Sequence, residues 1–165
     1  MDAKEIFLRI WDREAKTTAR VIRAFPAEWL ELKPHERSRS IRDLAWQCVM
    51  DERVIEKIVE GANDLRNVPP NPPPPETMAE IAAAYEGAHK QAADKMRRRE
   101  TQFTRTVTVT TRGGSIHLEQ AETIWWNLLD QIHHRGQLTI YLRLAGGKVP
   151  SIYGPSGDEA FRSIS

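Results

Sequence analysis

Residues 68–75 read Val-Pro-Pro-Asn-Pro-Pro-Pro-Pro, and neither a regular helix nor a central strand can pass through six prolines in eight positions. Such a segment adopts extended polyproline II at about 3.1 Å per residue, or about 25 Å in all. The preceding periodic stretch, from Ile41 to Gly61, predicts a helix of about 21 residues and about 31 Å. An extended crossover of that length can run back along most of the helix and deliver the next one parallel to it. A ligand for a proline-binding domain is the alternative reading, but a position between two helices favours an internal spacer.

The helices on either side carry their own signals. Ser40-Ile41-Arg42-Asp43 resembles a capping box, and Ile41, Leu44, Ala45, Cys48, Val49, Ile55, Ile58 and Val59 form one apolar face ending near Gly61 and Asn63. After the prolines, Thr77 and Glu80 make a second capping box. Met78, Ile81, Tyr85, Ala88, Ala92 and Met96 then step by three and four, and Arg97-Arg98-Arg99 suits a helix C-terminus. At the N-terminus, Phe7, Trp11, Thr18, Val21 and Phe25, with Ile6, Ile10 and Ile22 alongside, predict a helix of about five turns ended by Pro26. Glu14 and Thr18 lie on or beside that stripe, either at the edge of the core or facing a polar cavity.

Phe103, Arg105, Val107, Val109 and Thr111 alternate with threonines, and Gly113-Gly114 precedes Ser115-Ile116-His117-Leu118, which predicts a small β-hairpin. His117 reads there as an ordinary surface residue. The last helix is expected from about Glu119 to Ala145, with Ala121, Ile124, Trp125, Leu128, Leu129, Ile132, Leu138, Tyr141, Leu142 and Leu144 covering more than one face. Gly136 in its middle costs about 1 kcal/mol relative to Ala and predicts a close neighbour. Residues 148–165 form an irregular tail, and 165 residues make a single domain, 1–165. The fold class is all-α, with a hairpin before the last helix.

The charge balance is 24 − 23 = +1, too small for net charge to draw in nucleic acid or an anionic membrane. Neither partner is expected. Cys48 is the sole cysteine, which excludes an intramolecular disulfide and a Cys-x-x-Cys site, and fits a reducing cytoplasm. Charges stand where a secretory leader needs an apolar run, and no stretch is long and apolar enough to span a bilayer.

Asp130 and His134, four apart on the last helix, project from one face, close enough to share a metal ion or to form a plain hydrogen bond. Gln47 could add a third oxygen, although a neutral amide is a poor ligand for zinc or nickel. His133 lies about 100° around the helix and cannot face the same pocket as His134. Cys48 falls on the core stripe, where a free cysteine acts as a small hydrophobe. No nucleophile elbow, Walker loop, dinucleotide fingerprint or His-Glu-x-x-His is present.

His133-His134-Arg135-Gly136-Gln137-Leu138, then Tyr141-Leu142-Arg143 and Val149-Pro150-Ser151-Ile152-Tyr153-Gly154-Pro155-Ser156, resemble the DinB-like family, as does Arg39-Ser40-Ile41-Arg42-Asp43-Leu44-Ala45-Trp46 upstream. The resemblance implies a four-helix bundle in an up-down-down-up arrangement, commonly a homodimer, with a divalent metal held by three histidines. At the matching positions this chain has Gln47, Asp130 and His134. Replacing two imidazoles by oxygen groups weakens a zinc or nickel site and tilts residual affinity toward Mn²⁺ or Mg²⁺.

One reading is therefore a dimeric binding or scaffold bundle, with little or no metal affinity and room for a small-molecule ligand. The alternative is a hydrolase or thiol transferase dependent on a divalent ion (Mn, Ni or Zn). There Asp51, one turn from Gln47, joins Asp130 and His134 as an auxiliary ligand, and Glu14 and Thr18 line the same cavity.

Overall fold

A computed structural model describes residues 2–67, 72–99, 103–111 and 113–161. Four long helices, α1 (Ala3–Arg23), α2 (Ile41–Glu60), α3 (Met78–Arg98) and α4 (Gln120–Leu144), account for most of them. An antiparallel hairpin, β1 (Thr106–Thr111) and β2 (Gly114–Glu119), sits between α3 and α4. The first strand begins at Thr106 rather than Phe103, because Phe103 and Arg105 spend their carbonyls on Ala121 and Gln120 at the start of α4. Among the described residues no helix is long and apolar enough to cross a membrane.

Contacts at the helix ends give the directions. Lys4, in the first turn of α1, donates to the Arg97 and Arg99 carbonyls at the end of α3, and Arg23 pairs with Glu86 in the first half of α3, so α1 and α3 are antiparallel. Arg42 reaches Glu76 just before α3, while Lys95 near its end pairs with Glu56 late in α2 at 2.6 Å, so α2 and α3 run parallel. Phe7 meets Trp125 with ring centroids 4.8 Å apart, aligning α1 with α4, and Gln120 donates to Ile58 O, opposing α4 to α2. The order is up-down-down-up.

Residues 68–71 of the proline crossover lie outside the described residues. Its second half, Pro72 to Pro75, precedes α3, and the Trp46 indole donates to Pro72 O at 2.8 Å. Trp46 stands in the second turn of α2, so by Pro72 the chain has returned to the level where α2 began.

Helix starts follow the expected chemistry. Thr77 and Glu80 form a reciprocal capping box, whereas Ser40 accepts from Asp43 N without a return bond from the Asp43 side chain. The apolar faces predicted for α2 and α3 are buried at every position named. On α1 the buried face runs through Phe7, Trp11, Val21, Ile22 and Phe25, while Ile6 is exposed.

The last helix departs from expectation. Ile124, Leu128, Leu138 and Leu142 are buried, but Trp125, Leu129 and Leu144 are exposed, and the inner face is completed by Gln131 and Arg135. The apolar residues that cover more than one face thus divide into an inner row and an exposed one, and apolar periodicity cannot register the buried polar side chains that complete the inner row. Gly136 also departs: a Cβ there would meet nothing within 4 Å.

The core comes in two apolar halves with a polar layer between them. On α1 the halves are Phe7–Trp11 and Ala15–Phe25 with Glu14 between; on α2 they are Ile41–Met50 and Ile55–Val59 with Asp51 and Glu52 between. On α3 His89 separates Ala88 from Ala92, and on α4 Gln131 and Arg135 separate Leu128 from Leu138.

Glu52 is fully buried in this layer. Its Oε1 accepts from Trp11 Nε1 at 2.9 Å and lies 3.3 Å from the Tyr85 hydroxyl and 3.4 Å from His89 Nδ1. Tyr85 reaches on to Gln131 Oε1 at 2.8 Å, so all four helices share the network. The outer nitrogen of His89 meets Asp12 at 3.0 Å, and Asp12 pairs with Arg97. A second buried knot joins Arg135 to Glu14 Oε2 at 2.7 Å, to Thr18 and to the Tyr153 hydroxyl, which fastens the tail to the bundle.

Burial opposes a charge on His89, but the hydrogen bonds and fields of Glu52 and Asp12 outweigh it and hold its pKa above the ordinary 6.5. The folded protein thus binds this proton more tightly than the unfolded chain. The resulting stability is complete below pH 6.5 and is lost as pH rises through the raised folded value. Thermal melts from pH 6 upward are expected to fall more steeply in the wild type than in His89→Gln. Glu52→Ala is expected to cost about 1–3 kcal/mol in denaturant titrations, since it strands the buried Trp11 indole N–H.

Candidate metal centre

Antiparallel packing of α2 against α4 brings Asp51 opposite the Asp130–His134 turn. One ligand atom from each of Asp51, Asp130 and His134 lies within 4.8 Å of the others. Asp51 is 3% exposed, and its Oδ2 has no hydrogen-bond partner. A buried carboxylate oxygen left without a donor costs free energy that a cation or proton can relieve.

Gln47 lies one turn before Asp51. Its Nε2 donates to Asp51 Oδ1 at 2.8 Å, and its Oε1 accepts from Arg39 at 3.1 Å. Burial, joined by the neighbouring Asp130 and Glu52 carboxylates, pushes the Asp51 carboxyl up to about 8, against the lowering effect of the Gln47 hydrogen bond.

On the α4 side, His134 Nε2 stands 3.2 Å from Asp130 Oδ2. Gln137 turns its Oε1 to His134 Nδ1 at 3.2 Å and its Nε2 to His133 at 3.1 Å. An amide oxygen only accepts, so in this arrangement Nδ1 carries a proton. Nε2 is left facing the Asp130 carboxylate, where it donates to that oxygen when protonated and is free to ligate a cation shared with it when not. His133 faces Gln137 rather than the cluster, as the helical angle requires.

A pocket of about 380 Å³ opens beside the cluster. Gln47, Asp51 and Asp130 edge it, Val54, Leu65 and Val109 form an apolar wall, Thr110, Thr123 and Asn127 add neutral polar groups, and Trp126 completes it. Glu14 and Thr18 are not among its lining residues, contrary to the expectation that they share this cavity. Arg135 draws both to the opposite side of α4 in the buried ion pair. Cys48 is fully buried with its thiol pushed well above the ordinary range, chiefly by burial, and serves as core.

A family model described as the DinB family matches residues 1–161. The chain belongs to the DinB family. It is also 27% identical over 154 residues to the uncharacterized protein YrdA of Bacillus subtilis strain 168, covering 93% of this chain and 89% of that protein. Among solved structures, a DinB-like protein from Bacillus cereus ATCC 10987 superposes with a TM-score of 0.73 at 22% identity, covering 90% of this chain and 97% of the other. A DinB-like protein of Bacillus subtilis, YjoA, gives 0.67 at 15% identity over 87% and 94%. These structural likenesses establish the shared fold.

The partners that matter around the cluster were not all visible in the sequence. Asp51 stood out by its spacing from Gln47. Gln137, three residues after His134, could have been found as a residue able to orient the imidazole, whereas the Glu52 and Arg135 networks join residues far apart in the chain.

A raised carboxyl pKa has a stability consequence. The folded protein keeps the Asp51 proton between the unfolded value of 3.8 and about 8, so in ion-free protein stability is full below that window and declines as pH rises through it. Asp51→Asn is expected to flatten the decline by a few kcal/mol in urea titrations run from pH 5 to pH 9.

Proposed function

We propose that the chain holds a divalent cation on Asp51, Asp130 and His134 and acts as a metal-dependent hydrolase on a small molecule in the adjoining pocket. The buried, unpartnered Asp51 Oδ2 carries this reading. In a metal-free polar network a protonated Asp51 would hold its own hydroxyl against no acceptor, whereas a cation on that oxygen satisfies it. Glu52 Oε2 and Gln131 Nε2 are also buried without a partner, but of these only Asp51 has two further ligand atoms, from Asp130 and His134, within 4.8 Å.

Asp51 then takes the third ligand place considered for Gln47, and Gln47 orients it from behind. Two carboxylates and one imidazole form a hard donor set that suits Mn²⁺ better than zinc or nickel. A bound dication would supply an acidified water and a polarising charge. The same hardness favours water over a soft thiol as the activated nucleophile, so hydrolysis fits better than thiol transfer. Gln137 would keep His134 in the ligating tautomer.

Tag-free protein stripped with chelator and titrated calorimetrically with Mn²⁺, Ni²⁺ and Zn²⁺ tests the assignment. Mn²⁺ binding is expected in the wild type, lost in Asp51→Ala and His134→Ala, and weakened about tenfold in Gln47→Ala. Absence of Mn²⁺ uptake, or an indifferent Asp51→Ala, would overturn it.

A homodimer through α4 belongs to the same reading. Trp125, Leu129, His133, Gly136, Ile140 and Leu144 recur by fours and threes along one face, and the large apolar members are 40–62% exposed. The open space at Gly136 lets a second backbone approach at the centre of that face, as a two-fold contact requires. Sedimentation is expected to give a dimer at micromolar concentration and a monomer for Leu129→Asp/Ile140→Asp. The fully buried Cys48 and the absence of any membrane-crossing helix among the described residues suit a cytoplasmic setting.

A further inference from the structure

We propose that Arg39 is a specificity-determining residue of the metal pocket, receiving the carboxylate of a small acid whose reacting bond stands over Asp51, Asp130 and His134 and whose apolar body lies beyond them. An N-acyl amino acid is a molecule of this class. The inference rests on the reading of the cluster as a divalent-cation site, and its first support is an unspent cation. Arg39 is exposed and gives one N–H to the neutral Gln47 amide at 3.1 Å. Among the described residues no carboxylate stands within ion-pair distance of it, whereas Arg42, three residues on, reaches both Glu31 and Glu76. The rest of its planar fork is open to a carboxylate, which a guanidinium grips with two parallel hydrogen bonds.

The second support is the charge around it. Two carboxylates and a dication come to zero beside a neutral His134, and none of the described residues lining the pocket is Lys, Arg or His. Arg39, whose charge is felt at Asp51, adds a positive charge to this otherwise balanced centre. An anion arriving at that edge is drawn in and held in one orientation.

The third support is order along the helices. Gln47 takes Arg39 on Oε1 and gives Nε2 to Asp51 at 2.8 Å, so Arg39 Nη1 is at most about 8 Å from Asp51 Oδ1. One small molecule can therefore touch the guanidinium and the cluster together. Val54 follows Asp51 on α2, and Trp126 and Asn127 precede Asp130 on the antiparallel α4, so the wall of Val54, Leu65, Val109 and Trp126 lies beyond Asp51 from Arg39. That wall suits an apolar body. Asn127 donates one Nδ2 proton to Thr123 O and keeps the other for an oxygen of the ligand.

N-benzoylglycine and its amide, N-benzoylglycinamide, share the aromatic body and the internal amide bond and differ in the terminal charge. Relaxation enhancement of ligand protons on Mn²⁺-loaded protein, and saturation-transfer NMR on ion-free protein, would measure both. In the loaded form the acid is expected to bind about fivefold more tightly than the amide, with the margin shrinking at high salt. Arg39→Met is expected to bring the two probes to parity, Arg39→Lys to keep part of the margin, and Arg39→Glu to reverse it.

A margin unchanged in Arg39→Met would mean that the carboxylate sits on the cation and would overturn the role of Arg39 while leaving the metal assignment standing. Equal binding of the two probes to the wild type, or no binding of either at low millimolar concentration, would overturn it as well. An Arg39-dependent preference for the acid in protein that takes up no Mn²⁺ would instead overturn the metal assignment and support Arg39 as the carboxylate anchor.

Discussion

A single buried carboxylate, Glu52, organises the middle of this bundle. It takes the Trp11 indole from α1, faces Tyr85 and His89 of α3, and through Tyr85 engages Gln131 of α4. These contacts all converge on Oε1, while Oε2 has no partner; burying an acid in a helical core is unfavourable unless donors meet it, so each helix must present its partner at one height. That requirement ties the register of the bundle to a polar layer, whereas purely apolar faces would tolerate sliding.

The candidate metal centre is the outer edge of that same layer. Asp51 is the neighbour of Glu52, and Asp130 and His134 flank Gln131 and Arg135, so the inward residues lock α2 and α4 while their sequence neighbours face the pocket. Arg135 anchored to Glu14 also fixes the rotation of α4, which sets the direction of His134. Geometry at the site is thus a by-product of core electrostatics, and the hairpin contributes by placing Val109 and Thr110 along the pocket.

Much of the architecture was legible before any coordinates. The faces of α2 and α3 follow from spacing alone, and the proline segment is long enough to allow their parallel course because an extended linker has a calculable reach. On α4 the same method failed in an informative way. Trp125, Leu129 and Leu144 belong to the second of the apolar faces of that helix and are exposed, while Arg135, which carries no apolar signal, is among the most buried side chains. Periodicity counts chemical type, and a charged residue with a buried partner across the bundle violates the count.

The chain by itself determined its helices, its hairpin and the pairing of Asp130 with His134, because these depend on residues close in sequence, and its linker length permitted a parallel α2 and α3, while the up-down-down-up order came from the family resemblance. Spacing offered Asp51 as a third member of that group, and tertiary structure decided that it stands beside the pair, that Gln47 turns to Asp51 and Arg39, and that Glu14 and Thr18 go to Arg135. Those choices settle which buried donor satisfies which buried acceptor. Such a competition is resolved only when all four helices are in place, since each group's cost depends on what the others leave unpaired.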